Sequence, residues 1–379
     1  MAPDFKTIAD FRKDNGTAIR NVGREFILLC RRLGLFSEAI VAIDGSKFKA
    51  VNNRDKNFTE HKLKACLAQV EECVGRYLTE LDRADREPTL VSEARVSRLK
   101  EKMEAAKAYV QKLREIGEQL HKASDKQISL TDPDARSMAT SGRGTGRVGY
   151  NVQTVVETKH HLIVAHEVTN VGHDRSLLHK MATQAREALG TQALTALADR
   201  GYFTGEEILA YEEGGITTLV PKPQTSNNRA AGLIDKKDFR YLPETDEYAC
   251  PAGQRAIRRF TRVERGQTVH RYWSSACPRC PIKTRCTRGV YRRITRWEHE
   301  AVLERMQERL DRAPDAMSTR RRTVEHPFRT LKAWMGATHF LTKTLARVST
   351  EMGLHVLAYN LKRTIQLIGI PTLMQAIGA

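Results

Sequence analysis

The chain has 379 residues, enough for two or three domains or for one core with large insertions. Its 63 Lys and Arg residues outnumber its 45 Asp and Glu residues, and the formal net charge of +18 favours a polyanionic partner, most commonly a nucleic acid. No apolar stretch is long enough to span a bilayer, and the first residues lack the apolar core of a signal peptide. The composition therefore predicts a soluble intracellular protein, and its seven cysteines do not suggest a secreted disulfide framework.

The N-terminal part of the chain predicts a helical region followed by a buried strand. Apolar side chains spaced by three and four residues indicate helix over residues 1–36. The apolar run Ala39–Ile43 then stops at Asp44 and Gly45, which is typical of a strand that delivers a carboxylate to the edge of a sheet. The alternative is an ordinary Asp-Gly turn with no chemistry. Lys47 and Lys49 follow in a basic segment that is expected to face the substrate.

The next part predicts a helical hairpin and then a linker. Helical periodicity covers residues 60–122, approximately, and is interrupted at Glu87-Pro88-Thr89, because proline stops a helix. A solvated face or a partner contact is the expected role of this hairpin. The Gly- and Ser-rich residues 132–149 predict a basic linker.

The middle of the chain predicts a second carboxylate at the end of a strand. Alternating apolar residues on either side of Thr158-Lys159-His160 indicate a β-hairpin, and Asp174 is expected to cap a helix over residues 176–189. The apolar run Leu194–Ala198 stops at Asp199, and a helix near 206–212 and a strand over 216–220 follow. This order of elements predicts an α/β fold, a mixed sheet with covering helices.

A basic, cysteine-containing segment is predicted as an insertion over residues 222–296. Residues 254–296 hold thirteen Lys or Arg residues and a single acid, Glu264, with Tyr272, Trp273 and Tyr291 interleaved, so phosphate contacts are favoured over a merely solvated face. The segment also contains Cys250, Cys277, Cys280 and Cys286. Their spacing is compatible with a structural Zn²⁺ site or with reduced thiols in a small domain.

A third acid, Glu325, lies among arginines near the C-terminal end, with Arg321 four residues before it and Lys332 seven residues after it. On a regular helix these steps place all three side chains on one face. Three carboxylates from distant parts of a chain can bind two Mg²⁺ ions, which clamp the attacking and leaving oxygens of a phosphoryl transfer. The alternative is an amphipathic helix with a purely structural apolar stripe.

These motifs together resemble the DDE transposases of bacterial insertion sequences, which have a ribonuclease H-like catalytic fold. The resemblance rests on Val41–Lys47 around Asp44, on Gly149–Gln153 and Leu162–Ala165 in the paired strands, and on Ala198–Tyr202 around Asp199. In the third motif of many members a Tyr precedes Arg by three residues, Glu follows Arg by four and Lys follows Glu by seven. Arg321, Glu325 and Lys332 keep that spacing, whereas Ser318 replaces the Tyr and Pro327 follows the Glu.

The resemblance implies metal-dependent DNA strand cleavage and strand transfer without a covalent protein–DNA intermediate. It implies that Asp44, Asp199 and Glu325 bind Mg²⁺ or Mn²⁺, and that Arg321, Lys332, Lys47 and Lys49 contact DNA phosphates. The expected partners are double-stranded DNA, as terminal inverted repeats and as target, and further copies of the chain, at the nucleoid in the cytoplasm. The expected domain division is a helical remnant at 1–36, a ribonuclease H-like core from 37–59, 126–221 and 297–365, the helical hairpin at 60–125 and the basic insertion at 222–296.

Two other functions stay open at the level of the sequence. Family members usually carry a longer region before the segment that matches residues 3–8, so this chain is expected to be short at its N-terminus. A truncated, inactive copy could bind DNA and inhibit a full-length transposase. A host nuclease could use the same fold to cut DNA without joining it.

Overall fold

The computed structural model describes residues 4–36, 38–86, 92–138, 146–223 and 227–378. The predicted helix break at Glu87-Pro88-Thr89 and residues 139–145 of the predicted Gly-rich linker lie outside these ranges. Within them, no helix is both long enough and apolar enough to cross a membrane.

The helices fall mainly in the N-terminal and C-terminal parts of the described chain. They are α1 (Phe5–Asp14), α2 (Gly16–Arg32), α3 (Glu60–Arg86), α4 (Glu93–Lys122), α5 (Leu178–Leu189), α6 (Gly205–Glu213), α7 (Lys283–Cys286), α8 (Glu300–Arg312), α9 (Ala316–Arg329) and α10 (Leu345–Gly378). A π-helical turn, Thr330–Trp334, continues directly from α9. The last helix is kinked at Gly369, whose φ of 79° lies outside the helical region.

The strands belong to one large central sheet, one second sheet and a small pair. They are β1 (Ile40–Lys49), β2 (Asn57–Thr59), β3 (Gln127–Ser129), β4 (Arg136–Met138), β5 (Arg147–Glu157), β6 (Ile163–Thr169), β7 (Leu194–Leu197), β8 (Ile216–Leu219), β9 (Arg240–Leu242), β10 (Glu247–Ala249), β11 (Arg255–Glu264), β12 (Gln267–Trp273) and β13 (Ile294–Trp297).

The central sheet has six strands in the order β4-β5-β1-β7-β8, with β6 also paired to β5. The β5–β1 pair is antiparallel, whereas β1–β7 and β7–β8 are parallel. Helices cover both faces, because α5, α6 and α8 supply one apolar core and α9 and α10 supply another. This mixed sheet with covering helices confirms the predicted α/β, ribonuclease H-like architecture.

The second sheet has the order β13-β12-β11-β10-β9 and an apolar core of its own, centred on Phe239, Tyr248, Tyr272 and Ile294. Its sequence was expected to be a basic insertion, and no strands were predicted there. The reason is that arginines occupy many of the exposed positions along β11, so that the usual alternation of apolar and polar residues is weak.

Several element boundaries differ from the sequence prediction. The predicted hairpin is confirmed as β5–β6, and α6 and β8 lie within one residue of their expected ends. The first strand does not stop at Asp44 but runs on to Lys49, because Ser46–Lys49 stay paired with β5. Part of the predicted linker is sheet, since β4 pairs with the start of β5.

Candidate active site

Two neighbouring parallel strands bring Asp44 and Asp199 to the same end of the central sheet. The register pairs Ala42 of β1 with Leu197 of β7, and each aspartate comes two residues after this pair. The residues just before them are fully or almost fully buried, which fixes both strands in the core. The predicted juxtaposition of the two carboxylates is therefore present.

Each aspartate is also held by a backbone N–H group. Asp44 Oδ1 accepts a hydrogen bond from the N–H of Gly45 at 2.9 Å. Asp199 caps the short 3₁₀ turn Arg200–Tyr202, and its Oδ1 accepts from the N–H of Gly201 at 2.7 Å. These bonds limit the orientation of the carboxylates at the sheet edge.

Arg320 of α9 lies between the two carboxylates. Its Nη2 atom is 2.6 Å from Asp44 Oδ1 and 3.7 Å from Asp199 Oδ2, and only 13% of its side chain is exposed. Its Nε and Nη2 atoms are buried without a partner in hydrogen-bonding geometry among the described residues, so the contacts are ionic rather than directional. A cation is thus already present where two negative charges converge.

The sequence prediction passed over Arg320 in favour of Arg321. The signal that would have found it is its position on the apolar stripe of α9, with the buried Ala316 four residues before it and the buried Val324 four residues after it. A charged residue on such a stripe requires a partner. Arg321, by contrast, is exposed.

The pKa of Asp44 is raised to about 6. Burial is the largest cause, because it penalises the charged form, and Asp199 and Asp174 add to it by repulsion. Arg320 acts in the opposite direction and limits the rise. The carboxylate is thus held in a site that favours a positive ligand.

Asp174 belongs to a polar network beside this pair and does not cap a helix by its side chain. Its Oδ1 accepts hydrogen bonds from Asn151 Nδ2 and Gln153 Nε2, both at 2.7 Å, and lies 3.3 Å from Lys47 Nζ. The following helix, α5, begins only at Leu178 and has no side-chain cap. The prediction of a cap was wrong because the network on β5 competes for this carboxylate. Residue 45 must be small here, since a Cβ on Gly45 would lie 2.6 Å from Asp174 Oδ1.

Among the cations predicted to contact phosphates, Lys47 belongs to β1 and Lys332 lies against this strand. Lys332 donates to Ser46 Oγ at 2.6 Å and to the carbonyl oxygen of Lys47 at 3.2 Å, and its ammonium lies 4.4 Å from the centre of the Phe48 ring. Burial lowers the pKa of Lys332. Lys49 is exposed at the end of the strand.

The third predicted carboxylate, Glu325, is not part of the pair formed by Asp44 and Asp199. It is exposed and lines a groove with Arg322, Lys362 and Arg363. Arg320 and Val324 are among the residues of α9 that face the sheet, and Glu325, the next residue along the helix, is rotated by about 100° from Val324.

The π-helical turn explains why Lys332 nevertheless reaches β1. In a regular helix Glu325 and Lys332 would share a face, as predicted. A π-helical turn takes more residues per turn than an α-helix, so the chain is rotated less by the time it reaches Lys332. This smaller rotation places Lys332 nearer to the side of the helix on which Val324 is buried, and farther from the side that carries Glu325.

No group of three or more His, Cys, Asp or Glu side chains is arranged to hold a metal ion anywhere in the described ranges. Asp44 and Asp199 have the oxygen ligands that Mg²⁺ prefers, and Arg320 stands between them as a cation. The carboxylate oxygens of Asp44 and Asp199 therefore fit a hard cation, but among the described residues no third carboxylate joins them in such a group.

The four clustered cysteines line one small cavity of about 30 Å³ in the second sheet. All four are free thiols, and burial is the main cause that raises the pKa of Cys286. Their donor chemistry suits Zn²⁺, although as they stand no three of them meet the arrangement of a metal site.

The thirteen predicted phosphate-binding cations of residues 254–296 do not all face solvent. Arg296 is buried, pairs with Glu304 and lies 3.6 Å from the centre of the Tyr241 ring, so it has a structural role. Arg259 and Arg293 instead stack over Trp273, at 5.6 and 5.8 Å from the ring centre. Several of the exposed cations lie along β11, and we call the exposed side of this strand the β11 face: Arg255, Arg258, Arg259, Phe260 and Arg262.

The fold and this site define a class: a ribonuclease H-like domain with two aspartates at the ends of adjacent parallel strands. The sequence profile of the family described as transposase DDE domain matches residues 119–361, which include Asp199, Glu325 and Lys332. The chain belongs to this family of DDE transposases. Asp44 lies outside the matched residues, and its place in the site comes from the structure. No curated protein matches the chain.

Proposed function

We propose that the chain is a DNA transposase that cuts DNA at the ends of an insertion sequence and joins the free ends to a target. The observation that carries this proposal is the pair Asp44 and Asp199 around Arg320 at one end of the sheet. The family of the chain supports DNA as the substrate. The buried strands beneath the pair give the rigid support that a catalytic site needs.

Asp44 and Asp199 would hold Mg²⁺ or Mn²⁺. When bound, the ions supply Lewis-acid stabilisation of the attacking and leaving oxygens of an in-line phosphoryl transfer. Glu325 is proposed as the third ligand, and α9 would have to turn about its axis for this side chain to replace Arg320 at the sheet. The π-helical turn at the end of α9 is the element in which such a change of register would be absorbed.

The cations of the chain would position the DNA backbone. Once the two carboxylates are neutralised, Arg320 would be free to donate to a phosphate oxygen, and Lys332, held at β1 by Ser46, would contact another. Lys47, Lys49 and Arg321 are proposed as further phosphate contacts. Asp174 would orient Lys47 through their ion pair.

The β11 face is proposed to bind the phosphates of duplex DNA, including the terminal inverted repeats. Because two ends must be joined in one event, we propose that the chain acts as a homo-oligomer on the DNA, at the nucleoid.

The position of Glu325 favours one alternative function. With Arg320 between the aspartates and Glu325 facing outwards, the chain could bind DNA without cutting it and inhibit an active transposase by mixed assembly. A second alternative is that the chain is a nuclease, which would use the same fold to cut DNA without joining it.

Product analysis distinguishes these functions. A labelled duplex that carries the element's own terminal repeat would be incubated with the chain, target DNA and Mg²⁺ or Mn²⁺. We expect cut and joined products, both lost in Glu325→Gln. Cut ends that are never joined would indicate a nuclease, and metal-independent binding without cleavage would indicate the inhibitor.

We also propose that Cys250, Cys277, Cys280 and Cys286 bind a structural Zn²⁺ that draws the four thiols together. Native mass spectrometry should find one zinc per chain, and Cys277→Ser/Cys280→Ser should lose it together with thermal stability. A wild-type chain purified without zinc and with four reactive thiols would contradict the proposal.

A further inference from the structure

A second basic surface lies on the other side of α9 from the two aspartates. It is a groove of about 610 Å³ between the α9 segment and α10, and we call it the α9–α10 groove. The groove lies on the same helix that carries Arg320, and it is separate from the β11 face. Its lining includes Arg322, Glu325, Arg329, Trp334, Lys362 and Arg363.

The charge of the groove is strongly one-sided. Four cations, Arg322, Arg329, Lys362 and Arg363, line it together with one carboxylate, Glu325. Among the described residues, none of these cations forms an ion pair with a carboxylate. Arg363 is oriented by a hydrogen bond from its Nε to the carbonyl oxygen of His160 at 2.8 Å. Such a row of unneutralised cations is suited to a phosphate backbone.

An aromatic ring stands beside these cations. Trp334 is 77% exposed, an unusual state for so large an apolar side chain. The π-helical turn fixes its backbone, since Met335 N–H donates to the carbonyl oxygen of Thr330 at 2.9 Å and Ala337 N–H to that of Leu331 at 3.0 Å. Leu331, in the same turn, is fully buried. The turn therefore packs against the core through Leu331 and exposes the indole of Trp334 to solvent.

Cations that follow a groove, with an exposed aromatic ring at its side, are the features of proteins that bind single-stranded nucleic acid. A base paired in a duplex has both faces stacked and cannot reach an indole, whereas an unpaired base can. We propose that the α9–α10 groove binds an unpaired DNA strand, with phosphates on the four cations and a base stacked on Trp334. This inference rests on the proposed function, in which DNA is the substrate.

Binding of oligonucleotides to the full-length chain tests the groove without any chemistry. A fluorescent oligothymidylate and a duplex of the same length would be titrated without metal, over a range of salt concentrations. We expect Arg322→Gln/Lys362→Gln to weaken single-strand binding about tenfold and to lower the salt slope by about 1.4, since each lost contact removes about 0.7. The matched control, Lys343→Gln/Arg347→Gln, removes two exposed charges outside the groove and should leave single-strand binding close to wild type.

Trp334→Ala tests the stacked base separately. We expect it to weaken single-strand binding about fivefold or more and duplex binding by less than twofold. Equal effects of the groove pair and its control, or equal losses for single strand and duplex in Trp334→Ala, would overturn the proposal. Single-strand binding is measured without metal, whereas the catalytic proposal is tested by strand transfer with metal on a terminal-repeat duplex. A failure of the catalytic proposal and a failure of this one are therefore distinguishable.

Discussion

At the scale of single residues, the site is defined by a cation that sequence spacing did not select. Arg321, Glu325 and Lys332 were expected on one face of a helix, but Arg320 is the residue that contacts Asp44 and Asp199. The spacing could not predict this for two reasons. It does not show which residues of the helix face the sheet, and a difference of one position exchanges Arg320 for Arg321. The π-helical turn also changes the angle between successive side chains from that of a regular α-helix. Asp174 was likewise identified as a cap, since nothing in the sequence indicates that Asn151 and Gln153 on β5 lie beside it.

The raised pKa of Asp44 predicts an effect of pH on stability. Its pKa rises from 3.8 to about 6 on folding, so between these values the folded state binds more protons than the unfolded state. Stability is therefore lost as the pH rises through this window, by up to about 3 kcal/mol in total. Asp44→Asn removes this loss.

We expect the free energy of unfolding of Asp44→Asn, relative to wild type, to grow by about 1 kcal/mol between pH 5 and pH 8. Urea denaturation at the two pH values measures it. Asp85→Asn, which changes an exposed acid at the end of α3, serves as the control and should show no such trend. A relative stability that is independent of pH would show that burial does not penalise the Asp44 carboxylate.

At the scale of elements, α9 and its π-helical turn connect the core to the site. Val324, Phe328 and Leu331 pack beneath the sheet, while Lys332 reaches β1 from the same segment. The sequence predicted the apolar stripe of this helix correctly. It also predicted β1 and β7 from short apolar runs, and the hairpin β5–β6 from alternating apolar residues. It did not predict the π-helical turn, because no residue pattern distinguishes one extra residue in a turn from a regular helix.

This packing gives a prediction for Leu331, which is fully buried in the core beneath the sheet. We expect Leu331→Ala to lower the free energy of unfolding by about 2–5 kcal/mol, because it removes buried apolar atoms and leaves a cavity. Leu341→Ala changes a leucine that is 66% exposed and should cost well under 1 kcal/mol. Comparable losses in the two variants would contradict the inward orientation of the π-helical turn.

At the scale of the whole molecule, the charge of +18 is distributed over distinct surfaces. The sequence indicated where basic residues concentrate, but not that they form a five-stranded sheet in which Arg296 is internal. It could not do so, because Arg296 becomes internal only when β13 pairs with β12, and the paired residues lie 22 to 28 positions apart in the chain. The division of the chain into a catalytic core, a helical hairpin and a basic insertion stays a prediction.

If the β11 face contacts phosphates, it contributes to the salt dependence of the affinity for duplex DNA. We expect Arg255→Gln/Arg259→Gln to lower the salt slope for a duplex by up to about 1.8, since each phosphate contact contributes about 0.9. Arg98→Gln/Lys100→Gln removes two charges from α4, both on exposed residues, and should have a smaller effect. Equal slopes for the two variants, measured by fluorescence anisotropy, would remove the β11 face from the DNA-binding surface.

The central claim is that Asp44 and Asp199 form one catalytic centre. Strand transfer by wild type, Asp44→Asn, Asp199→Asn and the control Asp85→Asn would be measured on the terminal-repeat duplex with Mn²⁺, after urea denaturation has shown that all four chains are folded. We predict that joined products fall at least about a hundredfold in both Asp44→Asn and Asp199→Asn and are unchanged in Asp85→Asn. Strand transfer that persists in either Asp44→Asn or Asp199→Asn would contradict the account.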